Sequence, residues 1–194
     1  MKERMEQLLR ERMEKNQQVQ RAWVSSPLLT DLFVTMTEGI ASSMKQGGRL
    51  YVAGNGGSAA DSQHLVAELM VKIKSPRRPL PAEALSVDSS LLTSIGNDFD
   101  FSEVFARQLE GKMSSRDVFL ALSTSGNSPN ILKALEFCRR KDWVGYLWTG
   151  STGGKGKGIA KVTLSVPSDD TSTIQEMHTL LYHALCMGLE QELC

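Results

Sequence analysis

Two loops rich in glycine and serine, at 54–58 and 123–128, each lie between an apolar segment and a helical pattern. Such loops present backbone N–H groups, hydroxyls and a helix N-terminus, which together bind phosphate and other anions. The helical pattern after the first loop carries His64 and Glu68, and the C-terminal one carries Gln175 and His183. The sequence therefore indicates an anion-binding site combined with side chains for metal or acid–base chemistry.

The second loop gives the more specific prediction. Ser128 occupies the position of a helix N-cap and Pro129 that of the first helical residue. The preceding segment 118–122 is apolar throughout, which is typical of a strand buried on both faces. Turn formation alone also selects such residues, but four hydroxyls in six residues favour a phosphate. The loop lacks a Walker lysine, so a sugar phosphate is favoured over a nucleoside triphosphate. The expected ligands are Ser123, Thr124, Ser125 and Ser128.

The first loop has three glycines within four residues, at positions 54, 56 and 57. Glycine permits positive φ angles and a close approach of the backbone to a ligand. We expect Asn55, Gly56 and Gly57 to face the hydroxyls of a sugar. The alternative is a tight turn between strand and helix, and this loop alone does not distinguish the two.

His64 and Glu68 lie four positions apart on the predicted helix, so both side chains can reach one ion. Gln175 and His183 lie two turns apart on another helix and can also share a face. A histidine–glutamate pair at this spacing is also a common surface hydrogen bond, and two ligands are a weak zinc signal. The spacing alone leaves both interpretations open. His178, on a different face from His183, is predicted to be structural.

The rest of the chain alternates short apolar segments with helical ones, which predicts a parallel sheet covered by helices on both faces. Strands are expected near 49–53, 82–86, 117–122, 143–148 and 161–166. Glu83 interrupts the second of these. Helices are expected near 58–72, 89–96, 101–111, 129–140 and 172–192. A stiff, basic connector is expected at 74–81, and the α/β domain as a whole at 47–194.

Two further helices, 2–24 and 28–45, are predicted before the first strand, with a break between them at 25–27. Helix 2–24 is rather polar and has few apolar positions, so it has little surface to bury by itself. We expect residues 1–46 to form part of the interface of an oligomer.

The composition argues against several classes of function. The 22 basic and 22 acidic residues among 194 give a formal net charge of zero, so the charge does not indicate binding to nucleic acid or to an anionic membrane. No apolar segment approaches the roughly 20 residues of a membrane span, and the charged N-terminus does not resemble a signal peptide. The three cysteines are too scattered for a disulfide framework or a metal knuckle. We expect a cytoplasmic protein that binds neither nucleic acid nor membrane.

Four motifs carry a resemblance to a known family: AGNGGSAADSQHLVAEL, TSIGNDF, LSTSGNSPN and IQEMHTLLYH. In this order and spacing they resemble the phosphoheptose isomerases of the sugar-isomerase (SIS) domain superfamily, over essentially the whole chain. The resemblance implies a doubly wound, flavodoxin-like α/β fold with five parallel strands after a helical pair, assembled as a homotetramer. It implies conversion of sedoheptulose 7-phosphate to D-glycero-D-manno-heptose 7-phosphate in heptose biosynthesis. It leaves open whether the heptose is destined for lipopolysaccharide or for another glycan.

The same resemblance implies the site residues. The ligands of one zinc ion (Zn²⁺) per subunit would be His64, Glu68, Gln175 and His183. Glu68 and His183 would act as base and acid in enediol chemistry. The residues implied for sugar-phosphate binding are Asn55, Gly56, Gly57, Glu68, Asn97, Asp98, Ser123, Thr124, Ser125, Ser128 and Gln175. The sequence departs from the family pattern at Lys72, where an arginine is expected, and at Thr173, where a lysine or arginine usually precedes IQE. These departures bear on phosphate contacts and substrate preference.

The alternative within the superfamily is a relative without catalytic activity, either a sensor of sugar phosphates or a regulator of bacterial replication initiation. The second histidine of the pattern IQExHxxxxH, here His183, distinguishes the enzymes from the relatives of that regulator. A thiol-dependent enzyme is not indicated, because no cysteine lies in a motif. The sequence therefore favours the isomerase.

Overall fold

A computed structural model describes residues 1–74 and 76–194; Ser75, within the connector expected at 74–81, lies outside the described residues. The N-terminal helices are α1 (Lys2–Val24) and α2 (Pro27–Lys45). The strands are β1 (Leu50–Gly54), β2 (Ala82–Ala84), β3 (Val118–Leu122), β4 (Val144–Thr149) and β5 (Val162–Ser165). The other helices are α3 (Gly57–Met70), α4 (Ser89–Asp98), α5 (Ala106–Lys112), α6 (Pro129–Arg140) and α7 (Thr171–Leu193). There are 3₁₀ turns at Phe101–Glu103 and Lys155–Gly158.

The strands form a parallel sheet in the order β2-β1-β3-β4-β5. Val52 of β1 pairs with Leu120 of β3, which pairs with Tyr146 of β4. After β1 the chain first adds β2 on one side and then returns to the other side of β1 as β3, so the strand order reverses between β1 and β3. Open α/β folds bind ligands at such a switch point, beyond the carboxyl ends of the strands. The doubly wound fold is confirmed, and both Gly/Ser-rich loops begin at the switch point.

Hydrophobic cores lie on both faces of the sheet, because alternate residues of a strand point to opposite sides. Val52 and Leu120 belong to the core formed with α2, α3 and α7. Ala53 and Phe119 belong to the core formed with α4, α5 and α6. β1 and β3 are buried along their whole length, which fixes the start of each loop against a rigid support. Because α2 shares the first core, the predicted division at residue 46 does not separate two cores, and it stays a prediction.

The expected helix at 101–111 is not continuous in the structure. The carboxylate of Asp100 accepts a hydrogen bond from the backbone N–H of Ser102 at 2.8 Å and caps the 3₁₀ turn at Phe101–Glu103. Helix α5 begins only at Ala106. A local cap therefore divides the segment, which helical periodicity alone does not reveal.

The edge strand β2 is shorter than the expected strand at 82–86. It ends at Ala84, and the hydroxyl of Ser86 instead lies 3.1 Å from that of Ser62 on α3. Within β2, the carboxylate of Glu83 forms ion pairs with Arg49 at 3.0 Å and with Lys112 at 2.7 Å. The edge position supplies charged partners, which accounts for a charged residue in an otherwise apolar segment.

The longest helices are α1 and α7, with 23 residues each. α7 has buried residues on one face from Thr173 to Leu189, whereas the buried residues of α1 are Val19 and Trp23. The exposed large apolar residues of α1 include Met5, Leu8, Leu9 and Met13. Over 1–74 and 76–194, no helix combines the length and the apolar character needed to cross a membrane.

Candidate active site

A reciprocal pair of amides joins the two loops. Asn55 follows β1, and Asn130 lies in the first turn of α6. The Nδ2 of Asn55 donates to the Oδ1 of Asn130 at 2.9 Å, and the Nδ2 of Asn130 donates to the Oδ1 of Asn55 at 2.8 Å. Asn130 is 2% exposed and is not among the predicted site residues. The amide of Asn55 therefore holds the loops together, and its expected contact with a sugar stays a prediction.

The second loop forms a cradle of hydroxyls, defined here as Ser123, Thr124, Ser125 and Ser128. The Oγ atoms of Ser123 and Ser128 lie 3.4 Å apart. Ser128 is the N-cap residue of α6 and Pro129 follows it, as predicted. However, the Ser128 side chain forms no capping hydrogen bond within the described residues. Its hydroxyl is thus directed away from the usual role of an N-cap serine, at a helix end that favours negative charge.

The cradle is held in shape by the loop at 150–158. The N–H of Gly150 donates to the carbonyl of Thr124 at 3.0 Å, and the N–H of Gly156 donates to the carbonyl of Gly126 at 2.9 Å. Gly126 has φ +62°, and a Cβ atom there would overlap the carbonyl of Gly153. Both the positive φ and the close approach require glycine at this position.

His64, Glu68 and His183 form a cluster between α3 and α7. Their candidate ligand atoms all lie within 4.8 Å of one another. The Nε2 of His64 is 3.2 Å from the Oε1 of Glu68, and the rings of His64 and His183 meet edge to face with centroids 5.2 Å apart. The His64 side chain is 49% exposed, so the cluster opens to solvent. The two helices thus bring together three of the four predicted metal ligands.

Gln175, the fourth predicted ligand, lies in the first part of α7. Its side-chain amide lies against Gly57, where a Cβ atom would overlap it. Gly57 is the first residue of α3, and Gly56 before it has φ +54°. Glycine in the first loop therefore allows the start of α7 to approach the start of α3.

The residues of the cluster fit a zinc ion. Two imidazole nitrogens and a carboxylate oxygen are typical zinc ligands, and an additional oxygen donor completes a tetrahedral set. The three side chains project from two facing helices and remain partly open to solvent. An open position is the property that distinguishes a catalytic zinc site from a structural one.

Tyr182 contacts the cluster and was not predicted. Its hydroxyl lies 2.9 Å from the Nδ1 of His64, on the opposite side of the ring from Glu68. Burial raises the pKa of Tyr182. Tyr182 precedes His183 in the chain, and sequence periodicity places such a neighbour on a different face. Only the crossing of α3 over α7 brings both residues against His64.

Arg77 clamps the end of α3. Its guanidinium donates to the carbonyls of Glu68 at 2.8 Å and Leu69 at 2.7 Å, and it pairs with Glu190 of α7 at 2.9 Å. The Arg77 side chain is 4% exposed. A buried guanidinium satisfied in this way fixes the backbone that carries Glu68 relative to α7.

Arg12 of α1 reaches the start of α7. It donates to the Oδ1 of Asp170 at 2.8 Å and to the Oγ1 of Thr173 at 3.0 Å, and it pairs with Glu176 at 2.8 Å. The Arg12 guanidinium, with hydrogen bonds from Thr173, holds the pKa of the Asp170 carboxyl well below its usual range. A basic group therefore lies beside position 173, where Thr173 departs from the family pattern.

Asn97 and Asp98 lie at the end of α4 and are exposed. The Nδ2 of Asn97 donates to the carboxylate of Asp98 at 2.8 Å. Asp98 lines a cavity between α4 and α5. Their predicted role in substrate binding stays a prediction.

Asp61 of α3 and His178 of α7 have shifted pKa values because they are buried. Burial raises the pKa of Asp61, whose Oδ1 lies 3.5 Å from the hydroxyl of Thr179. Burial lowers the pKa of His178 to about 4. Neither ring nitrogen has a hydrogen-bond partner among the described residues. The His178 ring is fully buried and packs against Trp148, with centroids 6.0 Å apart. The prediction that His178 is structural is confirmed.

Comparison with known proteins identifies the family. The SIS domain family model matches residues 29–144, which is more than half of the chain. A phosphoheptose isomerase from Citrifermentans bemidjiense is 47% identical over 154 residues, covering 79% of this chain and 80% of the relative. The chain belongs to the SIS-domain family.

Solved structures place the chain within that family. A phosphoheptose isomerase from Neisseria gonorrhoeae has a TM-score of 0.89 at 33% identity, covering 96% of this chain and 99% of that one. Another from Francisella tularensis has a TM-score of 0.90 at 31% identity, covering 95% and 97%. The chain groups with the phosphoheptose isomerases and is an aldose–ketose isomerase.

Proposed function

We propose that this isomerase converts sedoheptulose 7-phosphate to D-glycero-D-manno-heptose 7-phosphate. The observation that carries the proposal is a series of contacts that joins the cradle of hydroxyls to the His64–Glu68–His183 cluster. The Asn55–Asn130 pair links the cradle to the first loop. Gln175, against Gly57, links that loop to α7, which carries His183. A sugar phosphate held by its phosphate at the cradle would present its carbonyl end to the cluster.

The reaction moves a proton between adjacent carbons through an enediol, so it needs a base, an acid and polarisation of the carbonyl. We assign Glu68 as the base and His183 as the acid, because the two groups belong to one cluster and project from facing helices. Arg77 holds the backbone of Glu68, and the cradle holds the far end of the substrate. Remote binding of this kind keeps the reacting carbons in register.

The proposal includes one zinc ion per subunit, held by His64, Glu68, Gln175 and His183. When bound, zinc supplies Lewis-acid polarisation of the substrate oxygens. The donor set of the cluster and the exposure of His64 support this assignment.

The cradle is proposed to bind the phosphate through Ser123, Thr124, Ser125 and Ser128. Support comes from the hydroxyl of Ser128 at the start of α6, which makes no capping hydrogen bond with the described residues. The short distance between the Ser123 and Ser128 hydroxyls gives further support. The open-chain polyol would be contacted by Asn55, Gly56, Gly57, Asn97 and Asp98. The similarity to phosphoheptose isomerases favours a seven-carbon ketose over a triose.

Purified protein is expected to isomerise sedoheptulose 7-phosphate, and to leave unphosphorylated sedoheptulose unchanged at the same concentration. NMR of the sugar carbons distinguishes substrate from product. Ser125→Ala is expected to raise KM more than it lowers kcat, because phosphate binding stabilises ground and transition states alike. Ser115→Ala, an exposed serine near the other end of β3, is the matched control.

Equal turnover of the phosphorylated and unphosphorylated sugars would contradict the role of the cradle. Binding of the sugar phosphate without any turnover would instead support the alternative, a non-catalytic SIS-domain sensor or regulator. The His64–Glu68–His183 cluster favours the enzyme, because a sensor has no need of an acid–base pair beside its ligand.

We also propose a homotetramer in which α1 packs against partner subunits. Its Met5, Leu8, Leu9 and Met13 lie along little more than two turns of the helix and are exposed among the described residues. Leu9→Glu is expected to reduce the molecular mass measured by light scattering, because it places a charge in this apolar stripe. Gln18→Glu, on the opposite side of α1, is the control. A wild-type monomer, or an unchanged Leu9→Glu oligomer, would contradict the proposal.

A further inference from the structure

Tyr182 separates the two nitrogens of His64 into two environments. Its hydroxyl lies 2.9 Å from Nδ1, while Nε2 faces the Glu68 carboxylate at 3.2 Å. The two rings also meet at a steep angle of 64°, with centroids 5.3 Å apart. Tyr182 is 1% exposed, so its phenol cannot exchange this contact for water. His64 by contrast is half exposed, and the contact with Tyr182 restrains its ring from the side opposite Glu68.

The orientation of His64 has a chemical consequence. A neutral imidazole carries one proton, and the nitrogen that binds a metal must be the one without it. A group that accepts a hydrogen bond from Nδ1–H therefore keeps the proton on Nδ1 and leaves the lone pair of Nε2 directed at the cluster. A backbone carbonyl or a carboxylate could serve only as this acceptor.

A phenol hydroxyl can do more than accept. With Nε2–H donating to Glu68, the phenol can donate to Nδ1; with Nε2 bound to a metal, the phenol can accept from Nδ1. In the second arrangement the phenol O–H turns away from His64, so the oxygen that donated to Nδ1 now accepts from it. His64 thus keeps both of its hydrogen-bonding positions filled in either tautomer.

We propose that Tyr182 is a positioning residue for His64, which holds the imidazole with Nε2 directed at Glu68 and His183 and permits its change of tautomer when a metal binds. This inference rests on the proposed metal site, but the orientation of the ring can be measured without metal. Tyr182 acts through His64 and is not assigned a contact with substrate.

The test compares Tyr182→Phe with wild type in the full-length protein. The variant is expected to bind zinc about 10–100-fold more weakly in competition with a chromophoric chelator, as outer hydrogen-bond partners usually contribute. Its metal-free melting temperature should stay close to that of wild type. Tyr146→Phe is the control. It removes another buried hydroxyl, that of Tyr146 on β4, which lies against Gly39 of α2, and it should leave zinc affinity unchanged. Unchanged affinity in Tyr182→Phe, where His64→Ala abolishes binding, would overturn the proposal.

A second readout separates this inference from the proposed function. The ¹⁵N chemical shifts of the His64 ring report its tautomer in metal-free protein, and with three histidines the signals can be assigned by substitution. One dominant tautomer in wild type and a mixture in Tyr182→Phe would support the positioning role, even if wild type bound no zinc. Identical His64 shifts in both proteins would contradict it, whatever the activity.

Discussion

Glu68→Gln and His183→Gln are each expected to lower kcat by about 10²–10⁴-fold, the usual contribution of a general base or acid. Glutamine preserves the approximate shape and hydrogen bonding of each side chain but neither accepts nor delivers a proton at neutral pH. Because the cluster lies at a partly open junction of α3 and α7, neither substitution leaves a large cavity in the core. Circular dichroism and thermal unfolding should therefore resemble wild type.

The control for these variants is Glu38→Gln, which removes an exposed carboxylate from α2 without touching the cluster. It should retain wild-type kcat and KM. If either cluster variant kept more than about a tenth of the wild-type rate, the acid–base assignment would be wrong, since such groups contribute at least 10²-fold. Loss of activity accompanied by loss of the folded state would instead show that the residue is structural.

The second large effect concerns His178 and acid stability. Its pKa is about 4 in the folded protein, against 6.5 for an unperturbed histidine. Below pH 6.5 the unfolded chain gains a proton at this position while the folded protein stays neutral, so stability falls as the pH falls. Between pH 7 and 4 this single group should cost roughly 3 kcal/mol of the free energy of unfolding. The stabilising effect of the neutral ring is thus complete only above about pH 6.5.

His178→Leu tests this expectation, because it removes the titrating group and keeps a buried side chain of similar volume. Urea unfolding at a fixed subunit concentration should show a smaller loss of stability between pH 7 and 4 in the variant than in wild type. Thr163→Val removes a buried hydroxyl that lacks a partner among the described residues but does not titrate. It should shift stability equally at both pH values. Parallel pH curves for wild type and His178→Leu would refute the argument.

The fold could be predicted because its signals are local and periodic. The apolar segment 118–122 is buried throughout, as a strand covered on both faces must be. Ser26 caps α2 with Pro27 at its first position, at the break expected between the N-terminal helices. The prediction of one helix at 101–111 was wrong because Asp100 caps a separate turn. A single side-chain hydrogen bond does not alter the periodicity of the apolar residues, so the sequence pattern did not reveal it.

The candidate site could be predicted only in part. His64 and Glu68 share a helical face, so their proximity follows from spacing. The contact of Tyr182 with His64, and that of Arg77 with the backbone of Glu68, depend on how α7 and the connector pack against α3. Such contacts link residues far apart in the sequence, and neither residue type is diagnostic by itself. The reciprocal amides of Asn55 and Asn130 belong to the same class.

That amide pair constrains how the sequence can change over evolution. Each asparagine supplies both the donor and the acceptor for the other, across a separation of 75 residues. A substitution at Asn55 alone leaves the Nδ2 of the almost fully buried Asn130 without this acceptor, while its Oδ1 still accepts from the backbone N–H of Ile131 at 2.9 Å. An unsatisfied buried donor costs about 1–3 kcal/mol. The easiest tolerated route is therefore a joint replacement at both positions. Although the two loops follow different strands, we expect positions 55 and 130 to change together among related sequences.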